Sequence, residues 1–516
     1  MQALEQLLGL FVVAVLLAAA ARRVGAPYPV FLAMGGALIA LLPSGPGFTL
    51  PPELVLALFV APVLLDSAYD MSVRDLRDNW APVTGLVVFA VGLTTAAVAL
   101  VVHSMVPALP WAAAVALGAI VAPPDAVAAS AVLRPLHPPH RILTVLEGES
   151  LLNDATALLV YRIAIGAVAA QGFTWHAVGP AFLLGVAGSL VAGFLFGRLV
   201  LYVMDRVEHI PTSIILQFVF TFGVWILAEA IGLSAVLTMV CFAITLKRTG
   251  PRQLGARVRI ATNAVWSAAV FALNILAFVF IGLQLRPIVA GLGRQELIRY
   301  VVVAGAVLAT VIAVRLAWHM SFNAVMRWRD RRCGFRPPRP MLRPTVGSGL
   351  VISWAGMRGI VTLAAAMALP ADFPQRDLVV FVAFGVSLGT LVIQGLTLKP
   401  LLRALRLHDD DPVGREVGEG RERAYLAGLA SLEQEHSPEG DYLRQKFTSL
   451  LARRHGPDGE SGAAIARQRA LYRQALHAAR EAIYAMRAAD EIGDDAFHSV
   501  EQELDWLEMA LGEDAD

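Results

Sequence analysis

Thirteen long apolar segments follow one another along this 516-residue chain and limit its possible folds more than any other feature. Runs of about 18 or more apolar residues predict helices that cross a bilayer. The segments lie near residues 3–21, 28–43, 52–69, 81–106, 111–134, 140–170, 176–204, 210–231, 234–247, 259–285, 297–324, 345–369 and 376–402. Only 16% of the residues are charged, against about 25% in soluble proteins. We therefore expect an all-α polytopic membrane protein with about 13 transmembrane helices.

Lysine and arginine are unevenly divided between the loops. With the N-terminus outside, the cytoplasmic loops hold 23 of these residues and the outer loops hold 4. Such an excess marks the cytoplasmic side. Arg22 and Arg23 follow the first apolar core instead of preceding it, which favours a retained first span over a cleaved signal peptide. The sequence predicts a plasma-membrane protein (the inner membrane, in a bacterium) with a cytoplasmic C-terminus.

The charge balance predicts two parts. Residues 1–408 contain 30 Lys and Arg against 17 Asp and Glu, whereas residues 409–516 contain 12 against 24. The basic excess lies in short loops between spans and does not indicate a nucleic-acid partner. Apolar residues in the acidic part are spaced three and four apart, which is typical of soluble helices. We expect a membrane domain at 1–407 and a helical cytoplasmic domain at 408–516.

Two of the predicted spans contain helix-breaking sequences. Pro123-Pro124 interrupts the fifth span, because proline lacks a backbone donor and clashes with the preceding turn. Gly356, Arg358 and Gly359 lie in the middle of the twelfth. These spans occupy corresponding places in two halves of the chain. Paired broken helices of this kind indicate an inverted repeat with a binding site near the bilayer midplane.

A polar cluster interrupts the apolar sixth span. Placing a charged side chain at membrane depth costs several kcal/mol of free energy, so a charged residue found there usually has a function. On a helix, Glu147, Ser150 and Asp154 share one face, and Glu149 and Asn153 lie on the adjacent face. This side of the helix must point into the protein or into water.

The residue types in this region suit a small hard cation, which prefers oxygen ligands. Asp154, Ser150 and a backbone carbonyl freed at Pro124 could bind Na⁺, and Asp125 can point into the same space. Burial disfavours a charged carboxylate, whereas nearby positive charge favours it. If the two effects nearly balance, a proton and a cation compete for one site. The sequence therefore predicts an ion-coupled antiporter.

Other charged residues have two interpretations each. Arg315, inside the eleventh span, needs an acidic partner, for which we choose Glu149; the pair could be purely structural. Asp66 could be an interfacial acid or part of an inner ion funnel, together with Glu147. Arg358 could cap the end of a half-helix or support the site. Enzyme motifs are absent from the sequence, so we expect neither catalysis nor a cofactor.

Three motifs carry a family resemblance: Ala122-Pro123-Pro124-Asp125-Ala126-Val127, Gly148-Glu149-Ser150-Leu151-Leu152-Asn153-Asp154-Ala155 and Gly356-Met357-Arg358-Gly359. Over residues 5–405 the chain resembles the monovalent cation/proton antiporters, most closely the NhaP-type and eukaryotic-like sodium/proton exchangers of the CPA1 branch.

The resemblance implies a homodimer in which a six-helix core domain moves like an elevator against a dimerisation domain. The core helices would be about 81–170 and 297–402, and the dimer-side helices about 3–69 and 176–285. It assigns ion binding to Asp154, Ser150, Asn153 and Asp125, and the membrane ion pair to Glu149 and Arg315. Asp66 falls on the acid of the third span.

The resemblance also bears on stoichiometry and selectivity. An Asn-Asp pair, here Asn153-Asp154, goes with electroneutral exchange of one cation for one proton. Many relatives have Thr-Asp-Pro where this chain has Pro124-Asp125-Ala126, so the choice among Na⁺, Li⁺ and K⁺ stays open. A K⁺/H⁺ antiporter of the same fold is the main alternative for a protein concerned with pH homeostasis. A passive cation channel and an intramembrane enzyme using Asp125 and Asp154 are weaker ones.

Overall fold

The computed structural model describes residues 2–42, 51–169, 175–207, 209–249, 256–334, 344–407, 411–452, 460–489, 491 and 494–509. Within these ranges the chain is helical and forms no strand. The helices belong to two compact units, Met1–Asp410 and Asp411–Asp516. The all-α fold class predicted from the sequence is confirmed.

The first unit contains fifteen helices and half-helices that correspond to the predicted spans. They are α1 (Gln2–Val24), α2 (Tyr28–Ala40), α3 (Pro52–Tyr69), α4 (Trp80–Met105), α5a (Trp111–Val121), α5b (Ala126–Leu133), α6 (His140–Ala169), α7 (Trp175–Met204), α8 (Ile210–Ala230), α9 (Ala235–Thr249), α10 (Ala256–Leu283), α11 (Arg294–Cys333), α12a (Val346–Trp354), α12b (Ile360–Met367) and α13 (Arg376–Ala404). Nine apolar helices in the described ranges are long enough to cross a bilayer. The chain is a multi-pass membrane protein, and the total of thirteen spans stays a prediction.

Both predicted helix breaks are present. The fifth segment stops being helical after Val121 and resumes at Ala126, because two successive prolines cannot supply the hydrogen bonds of an unbroken helix. The twelfth segment is non-helical between Trp354 and Ile360. Irregular backbone at membrane depth is tolerated where protein or a cavity surrounds it, so both breaks mark a site of interest.

Wide π-helical turns, which the sequence did not predict, occur in α3 at Leu56–Val60 and in α4 at Gly85–Ala90. Such turns often occur at functional sites because they rotate the following side chains. The turn in α3 precedes Asp66 by about two helical turns.

Helix α11 is longer than the predicted span 297–324. It runs for 40 residues and ends before Gly334, whose φ of 61° suits glycine. A helix of this length spans about 60 Å, twice the hydrocarbon thickness. Hydropathy falls after residue 324, but arginine, alanine and methionine continue to favour the helix. The helix therefore continues beyond the predicted span.

The second unit comprises α14 (Pro412–Ala430), α15 (Pro438–Ala452), α16 (Glu460–Ala488) and α17 (Asp494–Met509). Its α16–α17 hairpin buries Leu476, Ile483, Phe497 and Leu504, which belong to the predicted apolar stripes. Leu511, four residues beyond Leu507 in the same helical pattern, lies outside the described residues.

Candidate ion-binding site

The two broken helices meet at a backbone hydrogen bond. The N–H of Asp125 donates to the carbonyl of Met357 at 2.6 Å, which joins the interruption in the fifth segment to that in the twelfth. The neighbouring N–H of Arg358 donates to Oγ1 of Thr390 on α13 at 3.0 Å. The two hydrogen bonds thereby hold the non-helical backbone of both segments together at the crossing.

Asp125 begins the second half of the fifth segment. Its Oδ1 accepts a hydrogen bond from the N–H of Val127 at 2.9 Å, which caps α5b. The next N–H, that of Ala126, donates to Oγ of Ser150 on α6 at 3.4 Å. Gly359 lies directly against the Asp125 carboxylate, where a Cβ atom would overlap Oδ2. The glycine of the twelfth segment therefore makes room for the acid of the fifth.

Arg358 caps the first half of the fifth segment. Its guanidinium donates from Nε to the carbonyl of Val121 at 3.0 Å and from Nη2 to that of Ala122 at 3.2 Å. The side chain also donates to the carbonyl of Gly356 and is 1% exposed. A cation here neutralises the negative C-terminal end of α5a, which is the half-helix capping considered from the sequence.

Arg315 and Glu149 form a buried ion pair. Nη1 and Nη2 of Arg315 lie 2.5 and 2.8 Å from the two carboxylate oxygens of Glu149. The guanidinium also donates to the carbonyls of Ser353 and Ile352 at the end of α12a, both at 3.1 Å. A Cβ at Gly356 would lie 2.5 Å from Cδ of Arg315. The pair therefore connects α6, α11 and α12a.

A cavity of about 220 Å³ lies beside the crossing. Five of the residues proposed from the sequence line it: Asp66, Asp125, Glu147, Ser150 and Asp154. The spacing of Glu147, Ser150 and Asp154 places all three on the same wall, as helical periodicity predicts. Asp154 is buried, with 7% of its surface exposed. Carboxylate and hydroxyl oxygens here form a donor set that suits a hard cation.

Other proposed site residues do not line this cavity. Glu149 and Arg315 face each other in the protein interior, and Asn153 is fully buried. Within the described ranges, neither amide atom of Asn153 has a hydrogen-bond partner. Ion ligation by Asn153 and by the Pro124 carbonyl stays a prediction.

The cavity leads from Asp154 to an exposed ion pair. Arg134 and Glu147 also line it, with Nη2 of Arg134 lying 3.0 Å from Oε1 of Glu147. The Arg134 side chain is 60% exposed, so this end is at the surface. Seven residues separate Glu147 from Asp154, a distance of roughly 10 Å along α6.

The opposite end of the site is closed by apolar packing. An apolar cluster fills the region beyond Asp154 on α6, including Tyr161, Ala164, Val307 and Val379. The hydroxyl of Tyr161 donates to the carbonyl of Ala365 at 2.8 Å, which fixes α6 to α12b. The structure thus has an access path on one side of Asp154 and a seal on the other.

Several cavity residues were missed by the sequence analysis. They are the polar side chains of Tyr28 on α2, Ser67 on α3, Ser130 on α5b and Asn274 on α10. Asn274 had a visible signal, because it is an amide within the long apolar run of α10. The others are common in apolar helices and carry no comparable signal.

Comparison with known proteins relates the whole chain to a family. A family model described as the transmembrane part of the sodium/hydrogen exchangers matches residues 10–404. A Na⁺/H⁺ exchanger of Mycobacterium tuberculosis is 31% identical over 520 residues, which cover 96% of this chain and 93% of the relative. A sodium, potassium, lithium and rubidium/H⁺ antiporter of Bacillus subtilis is 31% identical over 392 residues, covering 73% of this chain and 58% of the relative.

The fold also matches a solved structure. The sodium proton antiporter from Methanocaldococcus jannaschii superposes with a TM-score of 0.59 at 16% sequence identity. The match covers 78% of this chain and 99% of the other. At this identity the likeness establishes the fold alone.

Proposed function

Because this chain belongs to the sodium/hydrogen exchanger family, we propose that it is a secondary antiporter that exchanges Na⁺ for H⁺ across the membrane. The observation that carries the proposal is the position of Asp154. Its buried carboxylate shares a cavity wall with Ser150 and lies beside the crossing at Asp125. Na⁺, the substrate, binds at Asp154 and Ser150, and Asp125 contributes to the same site.

A proton and a cation compete for Asp154, and this competition couples the movement of one to the movement of the other. A bare carboxylate is costly to carry through an apolar environment. Either a proton or a cation can neutralise it, and both cannot occupy it together. The site therefore crosses the membrane loaded with one or the other.

One-for-one exchange follows from the charges around the site. Arg315 already neutralises Glu149, and the side chain of Asn153 is neutral. The Asp125 carboxylate is engaged at the N-terminus of α5b, where it accepts a hydrogen bond from the N–H of Val127. Asp154, which has no hydrogen bond from the described residues, is the acid left to exchange its proton. Each cycle then moves one Na⁺ against one H⁺ and no net charge.

Access to Asp154 alternates between the two sides of the membrane. In this structure the open end lies at Arg134, which belongs to a loop on the cytoplasmic side of the proposed topology. We assign this state as inward-open, with the N-terminus outside and the C-terminus in the cytoplasm. A core of α4–α6 and α11–α13 moves relative to α1–α3 and α7–α10 in an elevator-like manner. The protein works as a homodimer in the plasma membrane, the inner membrane of a bacterium, and contributes to pH homeostasis.

Potassium is the second candidate cation. The chain has Pro124-Asp125-Ala126 in place of the Thr-Asp-Pro of many relatives, so a hydroxyl ligand is missing. The relative in Bacillus subtilis is itself named as an antiporter of four alkali cations. A site with one ligand fewer selects less strictly for cation radius, so K⁺ could bind at the same place as Na⁺.

Reconstituted vesicles test the assignment. An imposed proton gradient should drive Na⁺ counterflow without a membrane potential, and parallel runs with Li⁺ and K⁺ should rank the cations. Asp154→Asn should abolish exchange. Ser150→Ala should weaken Na⁺ binding, whereas Ser130→Ala, which removes a hydroxyl that lines the cavity from α5b, is the matched control. Retained exchange in Asp154→Asn would overturn the mechanism, and a stable voltage generated by wild type would overturn the stoichiometry.

A further inference from the structure

Helix α10 contributes one wall of the cavity, and one of its side chains there is polar. Val270, Asn274, Ala277 and Phe278 line the cavity from this helix, at the spacing of a single helical face. Asn274 alone among the four can offer an oxygen. Because α10 is unbroken from Ala256 to Leu283, its backbone carbonyls in this region are engaged within the helix.

The amide of Asn274 has no hydrogen-bond partner among the described residues, although its helix lies at membrane depth. Asn274 is only partly buried and lines the cavity, so water or an ion in the cavity can reach its amide. A neighbouring side chain in the cavity could have satisfied it, but none does. The amide oxygen is therefore available to an ion or a water molecule inside the cavity.

Helix α10 is fixed to a different part of the molecule from the ion-binding residues on α5b and α6. Gly36 of α2 and Gly282 of α10 lie in close contact, and a Cβ on either would overlap backbone atoms of the other helix. This close packing makes α2 and α10 a unit. The cavity thus lies between a wall that carries Asp125, Ser150 and Asp154 and a wall that carries Asn274.

We propose that Asn274 is a cation-binding residue of the inward-open state, in which its amide oxygen faces the ion at Asp154. The proposal rests on the proposed function and adds a ligand to the same site. An amide oxygen is a hard neutral ligand. It stabilises a cation over a proton, since a proton held by Asp154 needs no further ligands, and it leaves the charge balance of exchange unchanged.

The two walls move relative to each other in the proposed cycle, so the contribution of Asn274 is confined to one side of the membrane. When Asp154 faces outwards, α10 no longer completes its cavity. Loss of the amide should weaken Na⁺ binding from the cytoplasmic side and leave binding from the outer side unchanged. A merely structural role would alter both sides alike.

The experiment measures the apparent Michaelis constant for Na⁺ separately from each side in proteoliposomes of known orientation. For Asn274→Leu we expect a rise of about tenfold on the cytoplasmic side, the order of one polar contact to a charge. The outer constant and the one-for-one ratio should not change, and Asn274→Gln should recover part of the loss. Asn263→Leu, the same substitution at an exposed position of α10, is the control.

The outcomes separate this inference from the antiport assignment. Equal constants for wild type and Asn274→Leu on the cytoplasmic side would overturn it, as would equal changes on both sides. Either result would leave the antiport assignment intact as long as wild type exchanges and Asp154→Asn does not. Exchange by Asp154→Asn would instead remove the proposed function.

Discussion

Arg315 binds both carboxylate oxygens of Glu149, at 2.5 and 2.8 Å, and neither residue has more than 3% of its surface exposed. The same guanidinium satisfies two carbonyls at the end of α12a. One side chain therefore neutralises an acid on the ion-binding helix and terminates a half-helix of the crossing. This arrangement makes the pair a structural link between α6 and α12a, and in the proposed exchange Asp154 is the acid that carries the proton.

Breaking this pair should destabilise the fold. In Glu149→Gln the Arg315 charge stays buried without its counter-ion, which costs about 3–5 kcal/mol. Equilibrium unfolding in detergent micelles should show that loss in the free energy of unfolding. The matched control is Glu147→Gln, two residues away. Its partner Arg134 is 60% exposed, so the loss there should stay below about 1 kcal/mol. Equal losses in the two variants would contradict the structural role of the buried pair.

A methyl group at Gly359 should disable the crossing. Gly359→Ala places a Cβ onto Oδ2 of Asp125, and the carboxylate must move away from the cavity. We expect exchange to fall at least tenfold, while the helical content measured by circular dichroism stays unchanged. Gly166→Ala, at a position on α6 with no atom within 4 Å of the added Cβ, is the control. Wild-type exchange by Gly359→Ala would show that the position of Asp125 is not required.

Protons should act as simple competitors of the cation. At low pH a proton occupies Asp154 and excludes Na⁺, so the apparent Michaelis constant for Na⁺ should rise as pH falls. One-for-one competition gives about tenfold per pH unit below the pH at which the site is half protonated, and a plateau above it. The maximal rate at saturating Na⁺ should change much less. Steady-state exchange at several pH values checks this, and a slope near one hundredfold per unit would indicate two protons.

The local pattern of the sequence predicted those parts of the site that lie on single helices. Helical periodicity placed Glu147, Ser150 and Asp154 on one face, and proline and glycine located both breaks. Each is a short-range property of the chain. The partner of Arg315 was also inferred correctly, because a buried arginine requires an acid and few acids are available at that depth.

The remaining features depend on contacts between distant segments. Asn274 follows Asp154 by 120 residues, and no local rule brings α10 to the same cavity. The close approach of Gly359 to Asp125 likewise exists only when the broken helices cross. Helix α11 extends past its apolar part because helix propensity continues where hydropathy ends. Tertiary packing, and not local preference, decides these features.

A contact at the sealed end of the site should control how often it opens. Nη1 of Arg162, eight residues beyond Asp154 on α6, donates to the carbonyl of Leu233 in the turn between α8 and α9 at 3.1 Å. In the inward-open state this bond holds α6 against the α8–α9 turn, which belongs to the dimer-side helices of the proposed topology. Arg162→Ala should shift the population towards outward-open states and lower the apparent Michaelis constant for Na⁺ on the outer side about two- to fivefold, as expected for one hydrogen bond. Arg198→Ala, at an exposed position of α7, is the control. An unchanged outer constant would mean that the apolar seal beyond Asp154 alone keeps the site closed.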